Sequence, residues 1–195
     1  MSIHRNIRRI AVTAMVGTTL VAGIHAPSAF ADDANVVVTG GSLGITTAPL
    51  AGNFAGVTLD GTAKTTTASF DNFEVNDARG SGDGWNVTVQ ATTMAEHDGS
   101  DYVASGKTLP ADSLSLATAT VVADGTTSGA PTMTAGSYSL TTSAVKIASA
   151  AVDAGMGKYD ISFAGTNADL TLSVPSNAYA KTYRSDLTLT LASTP

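Results

Sequence analysis

Asn76-Asp77-Ala78-Arg79-Gly80-Ser81-Gly82-Asp83-Gly84-Trp85-Asn86-Val87-Thr88-Val89 is the stretch on which the fold turns. Its second half alternates: Trp85, Val87 and Val89 are apolar, and Asn86, Thr88 and Gln90 are polar. Successive side chains of a strand point to opposite faces, so this spacing sets one apolar row on one face. Gly80, Gly82 and Gly84 precede it, a density of glycine that bends a chain. The stretch reads as a hairpin in which Asp77 and Arg79 pair across the turn. Trp85, the one tryptophan of the chain, then anchors the core. The alternative reading is an exposed Trp85 ring that stacks on a sugar face.

Outward from this stretch the alternation recurs. Leu187, Leu189 and Leu191 are spaced by Thr188 and Thr190, and Leu170, Leu172 and Val174 by Thr171 and Ser173. Shorter pairs stand at Val57/Leu59, Phe73/Val75, Leu114/Leu116, Val145/Ile147 and Ile161/Phe163. Thr, Val, Ala, Ser and Gly dominate, and Glu74 and Glu96 are the only glutamates, a composition suited to strands and turns. Strands are predicted near 36–39, 56–60, 64–76, 84–92, 113–122, 137–147, 157–164, 168–174 and 182–192. Ala144 to Ala154 has some helical character, although Val145 and Ile147 suit a strand equally. Asp60-Gly61, Asp83-Gly84, Asp98-Gly99 and Asp124-Gly125 are turn signals. Glu96 to Pro110 and Ala123 to Gly136 read as polar loops. Many one-sided strands without a convincing helix imply an all-β fold, a single-domain antiparallel β-sandwich.

The N-terminus reads as a secretory signal peptide over residues 1–31. Arg5, Arg8 and Arg9 form a basic start, Ile10 to Ile24 an uncharged apolar run, and Ala29-Phe30-Ala31 a cleavage site. The run is shorter than the ~20 residues a bilayer-spanning helix needs. The mature domain is therefore expected over 32–195, starting at Asp32, with no membrane attachment after cleavage. The signal takes three of the ten basic residues and none of the sixteen acidic ones, so the mature charge is −9. Such a charge disfavours nucleic acid and anionic membrane as partners. Cysteine is absent, which excludes thiol catalysis, thiolate metal sites and disulfides. No C-terminal apolar anchor follows Leu191, so a secreted or surface protein is expected.

Candidate chemical motifs fail on context. Gly40-Gly41-Ser42-Leu43-Gly44 matches G-x-S-x-G, but a nucleophile elbow needs a helix directly after it. Ile45-Thr46-Thr47-Ala48-Pro49 follows instead, and His97 is the only histidine of the mature chain. Gly106-Lys107-Thr108 resembles the end of a phosphate loop, but its first glycine, Gly99, lies too far upstream. Asn86-Val87-Thr88 is a glycosylation sequon inside a predicted strand. Glu96, Asp98 and Asp101 share a loop and could face calcium, yet the spacing of a calcium-binding loop is absent and aspartate commonly forms turns. No catalytic residue, metal site or cofactor is expected, and the chain does not read as an enzyme.

Asp77-Ala78-Arg79-Gly80, followed by Gly84-Trp85-Asn86-Val87-Thr88-Val89, resembles the D-x-R-G…G-W-x-[LV] segment of the WxL domain of Gram-positive cell-surface proteins. The closing Tyr183-Arg184-Ser185-Asp186-Leu187-Thr188-Leu189-Thr190-Leu191 with Pro195 is similar to that family's last strand. Gly155-Met156-Gly157-Lys158-Tyr159 and the strand Leu170–Val174 fit the same plan, so the resemblance runs from about Phe54 to Pro195. Two positions depart from it. Val87 stands where leucine is usual, and Leu189 where the second tryptophan would be. If the tryptophans are core residues, leucine suits the apolar face; if they form the binding surface, half of it is replaced. The resemblance implies a secreted protein held non-covalently on the cell wall, with peptidoglycan as partner and Asp77, Arg79, Trp85, Val87, Leu189 and Leu191 as binding residues. A structural or assembly subunit that binds other surface proteins is the second reading.

Overall fold

Every strand ladder of the domain is antiparallel, and no helix occurs among the described residues, so the fold is all-β. The computed structural model describes residues 36–164 and 168–195. The expected signal peptide and the mature start at Asp32 lie outside the described residues. Where two facing sheets are expected, the strands divide among three four-stranded sheets and one two-stranded ribbon. The first sheet runs β1 (Leu43–Ile45), β3 (Phe73–Asp77), β11 (Gly157–Ser162), β7 (Thr120–Asp124). The second runs β14 (Leu187–Ala192), β4 (Trp85–Ala91), β10 (Val145–Ala150), β8 (Thr132–Met133). The third runs β2 (Lys64–Ala68), β12 (Leu170–Val174), β6 (Leu114–Leu116), β9 (Tyr138–Ser139). The ribbon pairs β13 (Tyr183–Arg184) with β5 (Ala95–Glu96).

The apolar rows of all three larger sheets meet in one core. Val75, Tyr159 and Ile161 come from the first sheet, Trp85, Val87 and Ile147 from the second, and Leu116 and Leu170 from the third, all fully buried. Each large apolar side chain so buried contributes about 1.5–3 kcal/mol, which the ordering of the chain offsets in large part. A smaller cluster of Met94, Leu109, Leu172 and Val174 lies beside it, with Phe54, Leu59 and Tyr183 packed against it.

The long alternating runs are cut where the chain changes sheet. The run 64–76 becomes β2 in the third sheet and β3 in the first, and the buried positions shift from Ala68 and Phe70 to Phe73 and Val75. Buried even positions give way to odd ones, so one continuous strand cannot keep both sets in the core. The run 113–122 divides likewise into β6 and β7, and 137–147 into β9 and the start of β10. Ala144 to Ala154 resolves as strand β10 over Val145–Ala150 followed by a turn, and the strand's register shifts between Lys146 and Ala148, so that Ile147 and Ala148 are both buried.

Three expectations are corrected. Residues 36–39 form no strand; they lie outside the sheets with Val36, Val37 and Val38 at 84%, 90% and 87% exposure. Residues 56–60 form none either; just before this segment, the Thr66 hydroxyl donates to the Ala55 carbonyl at 2.8 Å. The segment ends at Asp60, which the Lys64 ammonium and then Thr62 hold at a pKa of about 2. The expected hairpin between β3 and β4 is a crossing between sheets, since β3 pairs with β1 and β11 while β4 pairs with β14 and β10. Conversely, the glycine-rich segment at Gly40–Gly44 leads into strand β1. Its glycines let two backbones approach: the Gly41 N–H donates to the Ala78 carbonyl at 2.7 Å, and a side chain at Gly40 would strike the Arg79 carbonyl.

Candidate functional site

Asp77 closes β3 with its side chain turned inward, 2% exposed. A buried carboxylate must be paired. Arg79 pairs it in two-pronged fashion, Nε donating to Oδ1 and Nη2 to Oδ2, both at 2.8 Å. Nη2 also donates to the Gly84 carbonyl at 2.7 Å, and Nη1 lies 3.7 Å from Asp83. These bonds hold the Asp77 carboxyl below its ordinary value. The clasp therefore ties the end of the first sheet to Gly84, directly before β4 of the second. Gly84 sits at φ +73°, and a Cβ there would lie 2.5 Å from the Ala150 carbonyl oxygen, so the crossing needs glycine at this point.

Trp85 follows immediately and is fully buried. Its indole N–H donates to the Gly155 carbonyl at 3.0 Å, which satisfies the one polar atom of the ring. Gly155, at φ +72°, leaves room for it: a Cβ there would meet Trp85 Nε1 at 2.6 Å. Tyr159 lies beside the indole with ring centroids 6.5 Å apart, and its hydroxyl donates to the carbonyls of Ser128 and Gly129. Gly155 N–H donates to the same Gly129 carbonyl, so the 126–131 segment is bonded over this part of the core. The ring has no face open to solvent, and the sugar-stacking alternative for Trp85 is excluded.

Val87 is buried two residues on, and Leu191 and Leu189 stand opposite Val87 and Val89 across the β4–β14 ladder. Residues directly opposite share a face, so both leucines join the core row, half-buried because β14 is an edge strand. The six residues singled out from sequence are thus brought into one continuous framework. Asp77 and Arg79 lock the crossing, Trp85 and Val87 fill the core, and Leu189 and Leu191 cover its edge. Asn86, in the sequon, donates its side-chain amide to the Thr194 carbonyl. In the acid loop, Asp98 Oδ1 accepts the backbone N–H groups of Ser100 and Asp101, and Glu96 accepts the backbone N–H of Lys107 and the side-chain ammonium of Lys181.

Sequence reasoning missed a cleft of about 1110 Å³ between residues 51–59 and 179–187. Its walls carry Phe54, Leu59, Tyr179, Lys181, Tyr183 and Arg184 over a floor of the smaller apolar cluster. Tyr179 is 58% exposed, with the Lys107 ammonium 4.5 Å from its ring centre. The Tyr183 hydroxyl donates to the Tyr179 carbonyl at 3.0 Å, and the His97 N–H to the Thr182 carbonyl at 3.0 Å, so the rim is fixed by bonds to its neighbours. Glu96 is the hub: its carboxylate accepts the Lys107 N–H at 3.0 Å and the Lys181 ammonium at 2.8 Å, and these hold it below its ordinary pKa. The sequence signal for this site is weak. Tyr179 is an aromatic in the stretch Pro175-Ser176-Asn177-Ala178-Tyr179, which lacks alternation. A second cleft, of about 460 Å³, is lined by Ile45, Leu50, Phe70, Leu187 and Leu189 along β1 and β14.

The all-β domain thus combines a locked aspartate–arginine–tryptophan crossing with open clefts at its edge. The family model of the WxL domain, described as surface cell wall-binding, matches residues 30–195, and the chain belongs to that family. It is accordingly a surface protein of the wall-binding class. No curated protein and no solved structure matches the chain.

Proposed function

We propose that the protein is exported, loses residues 1–31, and is retained non-covalently on a Gram-positive cell wall by binding peptidoglycan, without catalysing a reaction. The family match over residues 30–195 carries this reading. The non-enzymatic part is supported by the context of the suspected nucleophile. Ser42 leads into strand β1 and no helix follows it, while His97 is buried with its Nδ1 accepting the Gly99 N–H at 3.0 Å. Wall polymers are anionic and so is the mature chain, at −9 after removal of residues 1–31. The three cations that could form a local basic patch are each paired, Arg79 with Asp77, Lys181 with Glu96 and Arg184 with Asp186. Attraction must then come from hydrogen bonds and apolar contacts. Sedimentation of the secreted protein with purified walls tests this. Binding should hold or strengthen between 0.1 M and 1 M salt, where the screening length falls from ~10 Å to ~3 Å. Release by salt alone, or no sedimentation at all, contradicts the reading.

A second reading, a structural or assembly subunit bound to other surface proteins, is favoured by exposed apolar side chains and an open sheet edge. Val36–Val38 stand almost fully exposed, and edge strand β7 presents Val122 at 58% exposure. Unpaired edges of this kind are templates for another chain. Capture of co-secreted surface proteins without any wall binding would select it.

A further inference from the structure

We propose that the cleft between residues 51–59 and 179–187 is the glycan-binding site, and that it takes an uncharged segment of acetamido-sugar chain across the Tyr179 ring. This rests on the wall-binding reading above and adds the place and the chemistry. Three features of the cleft select the ligand. First, its volume of about 1110 Å³ exceeds the roughly 300–1,000 Å³ of an ordinary small-molecule pocket, a size for several linked units. Second, an exposed tyrosine ring offers a flat apolar face of the kind that stacks on the C–H face of a pyranose. Tyr179 keeps 58% of its surface exposed, and the Tyr183 hydroxyl and Lys107 fix its position beforehand. Ordering before binding lowers the entropic cost of association.

Third, the rim is rich in hydrogen-bonding groups and poor in uncompensated charge. Lys181 is bound to Glu96 at 2.8 Å and Arg184 lies 3.5 Å from Asp186, while Lys107 faces the Tyr179 ring. A polyanion entering here meets Lys181 and Arg184 already paired with Glu96 and Asp186, and Lys107 set against the Tyr179 ring, so little positive charge faces it without a carboxylate beside it. A neutral chain of hydroxyls and acetamides can donate to the carboxylates and accept from the ammonium groups. Its acetyl methyl groups suit the apolar wall formed by Phe54 and Leu59. Trp85 takes no part, being fully buried beneath the second sheet's own contacts.

The test titrates the secreted protein with a soluble tetramer of β-1,4-linked N-acetylglucosamine and, separately, with poly(glycerol phosphate), followed by calorimetry and amide NMR. The tetramer should bind saturably and move resonances of residues 53–59 and 179–187. Tyr179→Ala should weaken it about tenfold, the size of one stacking contact, and Tyr179→Phe should keep it because the ring does the stacking. Absence of saturable tetramer binding overturns the proposal. So does binding that Tyr179→Ala leaves unchanged, or a preference for the phosphate polymer. Wall sedimentation of the same protein separates the two claims. Sedimentation without tetramer binding overturns the cleft and leaves the wall reading standing. Tetramer binding at Tyr179 without sedimentation supports the cleft as a glycan site and overturns wall retention.

Discussion

Trp85 and Tyr179 are two aromatic centres with opposite commitments. Around Trp85 every polar group is turned inward: the indole N–H to Gly155, Tyr159 to Ser128 and Gly129, Arg79 to Asp77 and Gly84. Around Tyr179 the same kinds of group are held at the surface, with Lys181, Glu96 and Arg184 at an open rim. The first region resists change because its bonds are buried or part-buried, and those of Trp85 and Tyr159 join segments far apart in sequence. The second can exchange its partners for those of a ligand at little cost to the fold. A sequence signature can thus mark a family through the residues that hold it together, while the contacts with its ligand lie elsewhere.

The contrast breaks if Trp85 can be removed cheaply. Trp85→Ala should lower the unfolding free energy by about 3–5 kcal/mol, since a fully buried side chain and its hydrogen bond are lost together. Denaturant titration measures this, and the parent protein should show blue-shifted emission that iodide quenches poorly. A loss below about 1 kcal/mol would mean that the ring is not a core residue.

Arg79→Ala comes next, at about 2–3 kcal/mol, because it leaves the Asp77 carboxylate buried without its partner. The sign of the pH dependence follows from the lowered pKa. The Asp77 contribution is present above its ordinary value of 3.8 and is lost as pH falls through the depressed value set by Arg79. In the variant that partner is gone and burial favours the protonated acid. The stability gap between parent and variant should therefore narrow on acidification below pH 3.8. A gap that stays constant with pH would separate Asp77 from the effect.

The legibility of the sequence differs between the two regions for a physical reason. Alternation reports burial on one face, so β4, β12 and β14 stand out and their apolar rows are the observed ones. The clasp was equally open to reading, because Asp77 and Arg79 lie two residues apart and need nothing distant to pair. Alternation does not report which sheet a strand joins. The change of phase between Phe70 and Phe73, or between Leu116 and Ala119, was the available sign of a sheet change within the runs read as single strands. β1 was hidden because its flanking glycines serve close approach to residues 78 and 79, which turn chemistry imitates. The cleft was illegible because it is assembled from 51–59, 94–109 and 179–187, with no local pattern linking them.

Leu189→Trp sharpens the comparison with a smaller effect. Leu189 is half-buried on edge strand β14 and lines the 460 Å³ cleft. Overpacking a filled core costs about 1–3 kcal/mol, but here the ring has open space to enter, so the change should stay within about 1 kcal/mol. A second, red-shifted emission component should appear beside that of Trp85. A loss as large as that of Trp85→Ala would show that this edge is packed as tightly as the centre.

Glu96→Gln probes the other side of the comparison and should alter stability least. Glutamine keeps an oxygen for the Lys107 N–H but loses the charge that holds Lys181 at 2.8 Å. Because the pair sits at an open rim, solvent and mobile ions replace most of the lost attraction, and the denaturation midpoint should not move measurably. Order within the rim should change instead. The Thr182 carbonyl accepts from the His97 N–H next to Glu96, and Tyr183 stands opposite Glu96 in the ribbon. Amide exchange at Glu96, His97 and Lys107 should accelerate in the variant, while exchange along β4 should stay as in the parent. Acid should mimic the substitution in the parent. The ion pair is complete above the ordinary carboxyl value of 4.5 and is lost as pH falls through the lowered one, so rim exchange should rise there. If Glu96→Gln instead destabilised the whole domain, the rim would belong to the framework, and the division between a locked centre and an exchangeable cleft would not hold.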